Sequence, residues 1–223
     1  MNEYGFEEEH KEMIDLIIKR GVRSTNLLAA MLSVPRHLFV PEKNRPWAYA
    51  DSALHIGHGQ TISQPYMVAS MTDALQLTGN ERVLDIGTGS GYQAAILAHL
   101  AKEVHTIDLV PELVEGAKKI ITTLGYTNIH FHMGDGSLGL PDEAPFDAIL
   151  VAAAAPRVPR PLLEQLAEGG KLVIPVGQQH SQQIEIWQRK SGKLERKIGE
   201  SVIFVPLLGK FGWENKQKKS RLE

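Results

Sequence analysis

Hydrophobic and polar residues recur along this chain with two different periods, and the change of period divides it. Between residues 7 and 20, Met13, Ile14, Ile17 and Ile18 fall at helical spacing, and Gly21 stops the run. A second short helix is predicted over 24–32, capped by Ser24 or Thr25. Residues 33–62 carry no sustained period. Pro35, Pro41, Pro46, Gly57 and Gly59 punctuate them, so an irregular segment is expected. A stretch of that length is more often functional than idle. Pro65 suits the first turn of a helix, where its missing N–H has no partner to lose. Val68, Met71, Leu75 and Leu77 then supply that helix with an apolar face.

After Gly79, short apolar runs alternate with helical patterns. Strands are predicted at 82–87, 103–108, 128–134, 146–153 and 171–176, and helices at 92–101, 111–124 and 161–166. This order implies a mostly parallel sheet with helices on both faces, a three-layer α/β sandwich. Residues 183–189 alternate polar and apolar, Ser191-Gly192 reads as a turn, and 202–208 reads as another strand. Two such strands imply an antiparallel edge. Residues 214–223 are charged and are expected to fray. The expected organisation is a single compact domain. Residues 1–62 form an N-terminal helical extension with a substrate-side loop, 63–212 the core and 213–223 a charged tail.

Composition narrows the function classes. The 223 residues suffice for a sizeable core. A net charge of −2 argues against the broad basic footprint of a nucleic-acid binder. The chain has no cysteine, which excludes disulfides, a thiol nucleophile and cysteine-ligated zinc. No apolar run approaches the ~18 residues of a membrane span. The acidic stretch from Asn2 to Lys11 lacks the apolar region of a signal peptide. A cytoplasmic protein is therefore expected, a monomer that contacts neither nucleic acid nor membrane.

The chemistry-bearing residues cluster where the predicted strands end. Val83-Leu84-Asp85-Ile86-Gly87-Thr88-Gly89-Ser90-Gly91-Tyr92 is an apolar strand running through a glycine turn into a helix, the arrangement by which an open α/β sheet receives a nucleotide-like ligand. Its GxGxG spacing differs from the GxGxxG of dinucleotide binders. Asp108 ends the next strand, where a carboxylate can accept from both hydroxyls of a ribose, or else cap the helix at Pro111. Asp135, within Gly134-Asp135-Gly136, can accept from an adenine amino group or simply hold a turn. Asp85 can hold an ammonium group, directly or through water, or cap the glycine turn. An acid so close suits a zwitterionic cofactor better than a pyrophosphate. Together these acids favour S-adenosyl-L-methionine over NAD.

Gln60-Thr61-Ile62-Ser63-Gln64-Pro65-Tyr66 is the second informative stretch. Ser63 reads either as an N-cap or, with free backbone N–H groups, as a nest for a substrate carboxylate. No base can be paired with Ser63, so no catalytic triad is assembled. Tyr66 is a substrate-side wall or a core aromatic. Ala152 to Ala155 leave room beside a ligand, or pack closely against helices. His130 and His132 share a strand face, and His55 and His58 flank a glycine. Neither pair brings further ligands in sequence, so no metal is expected.

Val34-Pro35-Arg36-His37-Leu38-Phe39-Val40-Pro41, Ala48-Tyr49-Ala50-Asp51 and the run from Ile56 to Pro65 resemble the protein-L-isoaspartate O-methyltransferase family. So do the glycine turn, Gly134-Asp135-Gly136, Ala155-Pro156 with Pro159 and Leu162, and Phe204-Val205-Pro206-Leu207. The resemblance runs from about residue 10 to 212 in the family's order. It implies an S-adenosylmethionine-dependent methyltransferase (Rossmann-like) fold whose final strands are rearranged. It implies methyl transfer from S-adenosyl-L-methionine, leaving S-adenosyl-L-homocysteine, to the free α-carboxyl of L-isoaspartyl residues in damaged proteins and peptides. The ester then collapses to a succinimide that can reopen to aspartate. The same resemblance makes Ser63 the catalytic serine. It puts Thr61, Ile62, Asp85, Gly87, Gly89, Asp108, Leu109, Asp135 and Gly136 at the cofactor, and Ser63, Gln64 and Tyr66 at the substrate. Residues 55–66 and 204–212 are expected to line the peptide groove. A carboxylate is already ionised at neutral pH, which agrees with the absence of a base. The rival readings are a small-metabolite methyltransferase, which only the 60–66 region argues against, and a non-catalytic cofactor sensor.

Overall fold

The structure is a computed structural model in which residues 5–214 are described. The tail expected over 213–223 therefore lies outside the described residues except for Trp213 and Glu214. Helix α1 (Glu7–Lys19) opens with Glu7, Glu8 and Glu9, acids that suit the positive end of a helix, and buries Met13, Ile14 and Ile17. Helix α2 (Thr25–Ser33) is capped by Ser24, whose side chain accepts from the Leu27 N–H at 3.4 Å.

The segment expected to be irregular holds more order than its sequence suggested. Two 3₁₀ turns, Arg36–Phe39 and Glu42–Trp47, precede a hairpin of β1 (Leu54–Gly57) and β2 (Gln60–Ile62). The hairpin reverses through Gly57, His58 and Gly59, all at positive φ. Strands of four and three residues are too short to establish an alternation.

From α3 (Pro65–Leu75) onward the predicted order holds. It continues with β3 (Arg82–Ile86), α4 (Tyr92–Ala98), β4 (Glu103–Asp108), α5 (Pro111–Thr123), β5 (Ile129–Met133), β6 (Phe146–Val151), α6 (Arg160–Glu164), β7 (Leu166–Gln178), β8 (Ser181–Lys190) and β9 (Lys193–Val202). Leu77 lies beyond α3, because Gln76 turns left-handed at φ 56° and ends the helix. The strand expected over 202–208 is a correction: the strand after the Ser191-Gly192 turn is β9, and it ends at Val202. β9 escaped the pattern because Lys193 to Gly199 are all exposed, so burial imposes no alternation there.

Seven strands form one sheet in the order β5-β4-β3-β6-β7-β8-β9. The pairings from β5 through β7 are parallel, and β7-β8 and β8-β9 are antiparallel, which is the expected edge. Alternate residues feed two core layers. Val83, Val104, Ala148, Leu150 and Val173 meet Met67, Met71, Ala94 and Leu97 from α3 and α4. Leu84, Ile86, Ile149, Val151, Leu172 and Ile174 meet Leu162 of α6 and Leu207 on the other side. A further apolar cluster joins α1 and α2 to Val68, Tyr92 and Ile96, so the N-terminal helices are packed onto the core. The chain leaves β3 toward β5 on one side and returns to β6 on the other. Ligands bind at such a reversal in open α/β sheets.

Candidate active site at the carboxyl ends of the strands

A cavity of about 880 Å³, counted to its open mouth, lies at that reversal. Gly87, Gly89 and Ser90 after β3, Asp108 to Val110 after β4, and Ala152 and Ala153 after β6 form its floor and sides. Thr61, Ile62 and Ser63 from the hairpin and Val205 to Leu208 from the C-terminal segment close it. Parts of the two stretches expected to line the peptide groove, Gln60 to Ser63 and Val205 to Leu208, thus border the same cavity. The C-terminal segment is fixed there by the β6 end: Ala154 N–H donates to the Val205 carbonyl, and Leu207 N–H to that of Ala154, both at 2.8 Å.

The glycine turn is tied to its neighbours from below. Gly87, Gly89 and Gly91 all take positive φ. Asp108 accepts from Gly89 N–H at 2.9 Å through Oδ2 and from Val110 N–H at 3.0 Å through Oδ1. Asp108 holds the turn and the start of α5, and it lines the cavity with lone pairs those bonds leave free. At Gly136 a Cβ would stand 2.5 Å from Ile86 Cγ2, so the close approach that shapes this wall requires glycine.

Asp85 does not line the cavity. It is fully buried beneath the turn, accepts from Thr106 Oγ1 at 2.8 Å, and leaves Oδ1 without a partner. Burial above all, with the Asp108 charge adding to it, pushes its carboxyl up to about 7. Asp135 also stands outside the lining. Its Oδ1 accepts from the amide and hydroxyl of Ser137 at 2.9 and 2.6 Å, and its Oδ2 from Lys210 N–H at 2.7 Å. It thereby locks the turn that presents Gly136.

Ser63 lines the cavity and is not a helix cap. The N-cap of α3 is Gln64, and no side chain caps that position. The first-turn amide of Tyr66 instead donates to Asp51 Oδ1 at 3.0 Å, so the anion nest expected there has lost that donor. Asp51 Oδ2 accepts from Gln64 Nε2 and from Arg20, both at 2.8 Å. The Arg20 guanidinium in turn lies over the Tyr66 ring, 3.4 Å from its centroid. Gln64 and Tyr66 are therefore held beside Ser63 but outside the cavity lining.

Arg36 is the residue sequence reasoning passed over. It is fully buried, donates from Nε to the Ala48 carbonyl at 2.7 Å and from Nη2 to the Ser63 carbonyl at 2.8 Å, and faces the Tyr92 ring at 4.8 Å. A buried cation between two loops fixes where the backbone of Ser63 sits. The signal available was a lone arginine in the apolar run Val34 to Val40.

An orphaned acidic oxygen under a glycine turn, an acid at the next strand end and a wall shaped by Gly136 suit a cationic, adenosine-bearing group. The comparisons agree with that geometry. The chain is 54% identical over 208 residues to a protein-L-isoaspartate O-methyltransferase of Roseiflexus sp. (strain RS-1), covering 93% of this chain and 95% of the relative. It is 47% identical to another from Dictyoglomus thermophilum, covering 94% and 96%. Among solved structures, a protein-L-isoaspartate O-methyltransferase superposes with a TM-score of 0.80 at 27% identity, covering 91% of this chain and 67% of that one. A Plasmodium falciparum structure assigned to the same enzymes, in complex with S-adenosyl-L-homocysteine, gives 0.78 at 28% identity, covering 89% and 98%. The model of the protein-L-isoaspartate(D-aspartate) O-methyltransferases matches residues 8–212, and the chain belongs to that family.

Proposed function

We propose that this chain transfers a methyl group from S-adenosyl-L-methionine to the free α-carboxyl of L-isoaspartyl residues in damaged proteins and peptides, starting their repair through a succinimide. The observation that carries the reading is the meeting of Ser63, the glycine turn and Val205 to Leu208 around one cavity.

S-adenosyl-L-methionine supplies an electrophilic methyl group on a sulfonium. Thr61, Ile62, Gly87 and Gly89 would hold its amino-acid end, with Asp85 beneath. Asp108 and Leu109 would hold the ribose, and Gly136 with Asp135 the adenine. The substrate carboxylate, with an unperturbed pKa of ~3.5, needs no general base. Ser63 donates a hydrogen bond that orients it, and forms no covalent intermediate. Arg36 and Asp51 act through the loop that carries Ser63. Ile62, Val68, Ile86 and Leu207 give the cavity apolar walls. Shedding water there favours a step in which opposite charges neutralise each other.

Selectivity rests on residues 55–66 and the 204–212 segment, which receive the peptide on either side. The division into an extension (1–62) and a core (63–212), and a cytoplasmic monomer that binds neither nucleic acid nor membrane, belong to the same proposal. Among the described residues no helix is long and apolar enough to cross a membrane.

The test offers labelled cofactor with an isoaspartyl peptide and its aspartyl twin. Label confined to the isoaspartyl peptide supports the reading. Equal labelling of both, or of a small carboxylic acid alone, overturns it.

A further inference from the structure

At the opposite ends of the same strands lies a second cluster that methyl transfer does not use. His105 of β4 is paired in register with His130 of β5, and both point to the face that also carries Glu103. The β strand period puts Glu103 and His105 on one side, and parallel pairing lays His130 and His132 beside them. The rings gather closely, with His105 centred 4.8 Å from His130 and 5.3 Å from His132.

His105 is only 4% exposed, and its two nitrogens differ. Nδ1 shares a hydrogen bond with His132 Nε2 at 3.1 Å. Nε2 is buried with no hydrogen-bond partner, 4.0 Å from Glu103 Oε1. In either tautomer that nitrogen is unsatisfied. Glu103 has its Oε1 on Arg82 Nε at 2.8 Å, while its Oε2 faces His130 Nε2 at 3.7 Å. The three potential ligand atoms of Glu103, His105 and His130 lie within 4.8 Å of one another. A tetrahedral ion with bonds near 2.0–2.1 Å separates its ligands by about 3.3 Å, so the widest gap must close by up to about 1.5 Å, a movement shared between the side chains and led by the half-exposed His130.

We propose that Glu103 Oε2, His105 Nε2 and His130 Nε2 form a site for a single divalent transition-metal ion, completed by water on the exposed side of His130. The ion answers the orphaned nitrogen, and His132 plays the part of the partner that orients a metal-bound imidazole through its other nitrogen. Arg82 and Lys118 line the same hollow, so charge alone would not draw in a cation. Binding must come from the imidazoles. That selects zinc, cobalt, nickel or copper and rejects magnesium and calcium, which prefer oxygen ligands.

The experiment uses the full chain without a histidine tag, stripped with chelator and titrated with Co²⁺ while visible absorption is followed. Thermal melts with and without Zn²⁺ run in parallel. The expected result is a tetrahedral Co²⁺ spectrum saturating at one equivalent and a melting temperature raised by Zn²⁺. His130→Ala alters a half-exposed side chain and should weaken binding at least 10- to 100-fold, judging from the losses that supporting residues alone produce. Glu103→Gln should weaken it similarly, and affinity for S-adenosyl-L-homocysteine should not change in His130→Ala. A wild-type chain without the Co²⁺ spectrum overturns the proposal. So does a His130→Ala variant that binds as well as wild type, including the case in which only His132→Ala or Glu143→Gln weakens binding.

Discussion

Ser63 and Arg36 are coupled through one carbonyl. A hydrogen bond to a charged group contributes about 1.5–3 kcal/mol. Ser63→Ala should therefore lower kcat about 10- to 100-fold and leave S-adenosyl-L-homocysteine affinity, measured by calorimetry, unchanged; a methylated Ser63 recovered from turnover would contradict the orienting role. Arg36→Lys keeps the charge but loses the fork that reaches both Ala48 and Ser63. It should lower unfolding free energy by about 1–3 kcal/mol in denaturant melts and reduce kcat more than KM rises. Combined with Ser63→Ala, its effect on kcat should be less than additive, because both act through the same serine. Ser63 was singled out through the resemblance of the 60–66 motif, since by its residues alone it read equally as a helix cap. Arg36 and Asp51 were not, because their partners, backbone groups for Arg36 and a mixture of backbone and side-chain donors for Asp51, lie 12 to 31 positions away and leave no local pattern.

Elements were read well where a buried run is bounded by polar residues. Strand β4 begins and ends where its pattern did, since Val104 to Ile107 are all buried and its ends, Glu103 and Asp108, are polar. The hairpin of β1 and β2 and the edge strand β9 were invisible for opposite reasons, one being too short and the other exposed on both faces. The wall after β5 offers a test at this level. Gly136→Ala places a methyl against Ile86 and should cost about 1–3 kcal/mol of stability, with a weaker grip on cofactor. Ile86→Ala opens a cavity by itself. Joined to Gly136→Ala, it should give a combined loss in thermal or denaturant melts smaller than the sum of the two.

Across the whole molecule, the buried Asp85 links stability to pH. Its carboxyl titrates near 3.8 when unfolded and at about 7 when folded, so the native state binds the extra proton between those values. Stability without cofactor should therefore fall as pH rises from about 4 to 7, and the penalty is complete above 7. Asp85→Asn removes this dependence, so the variant should gain on wild type over that window in melts taken at several pH values. Part-buried His10 and buried His37, held below their usual value, titrate with the opposite sign and cancel in the comparison. A variant that tracks wild type throughout would leave Asp85 ionised in the fold and its burial without effect.

The outer flank of β9 has a use suited to this reading. An enzyme that repairs aged proteins meets chains that have begun to come apart, and such chains add themselves to any bare strand. Lys193, Glu195 and Lys197 set exposed charges of both signs along this edge strand, an arrangement that opposes the addition of a further strand from such a chain.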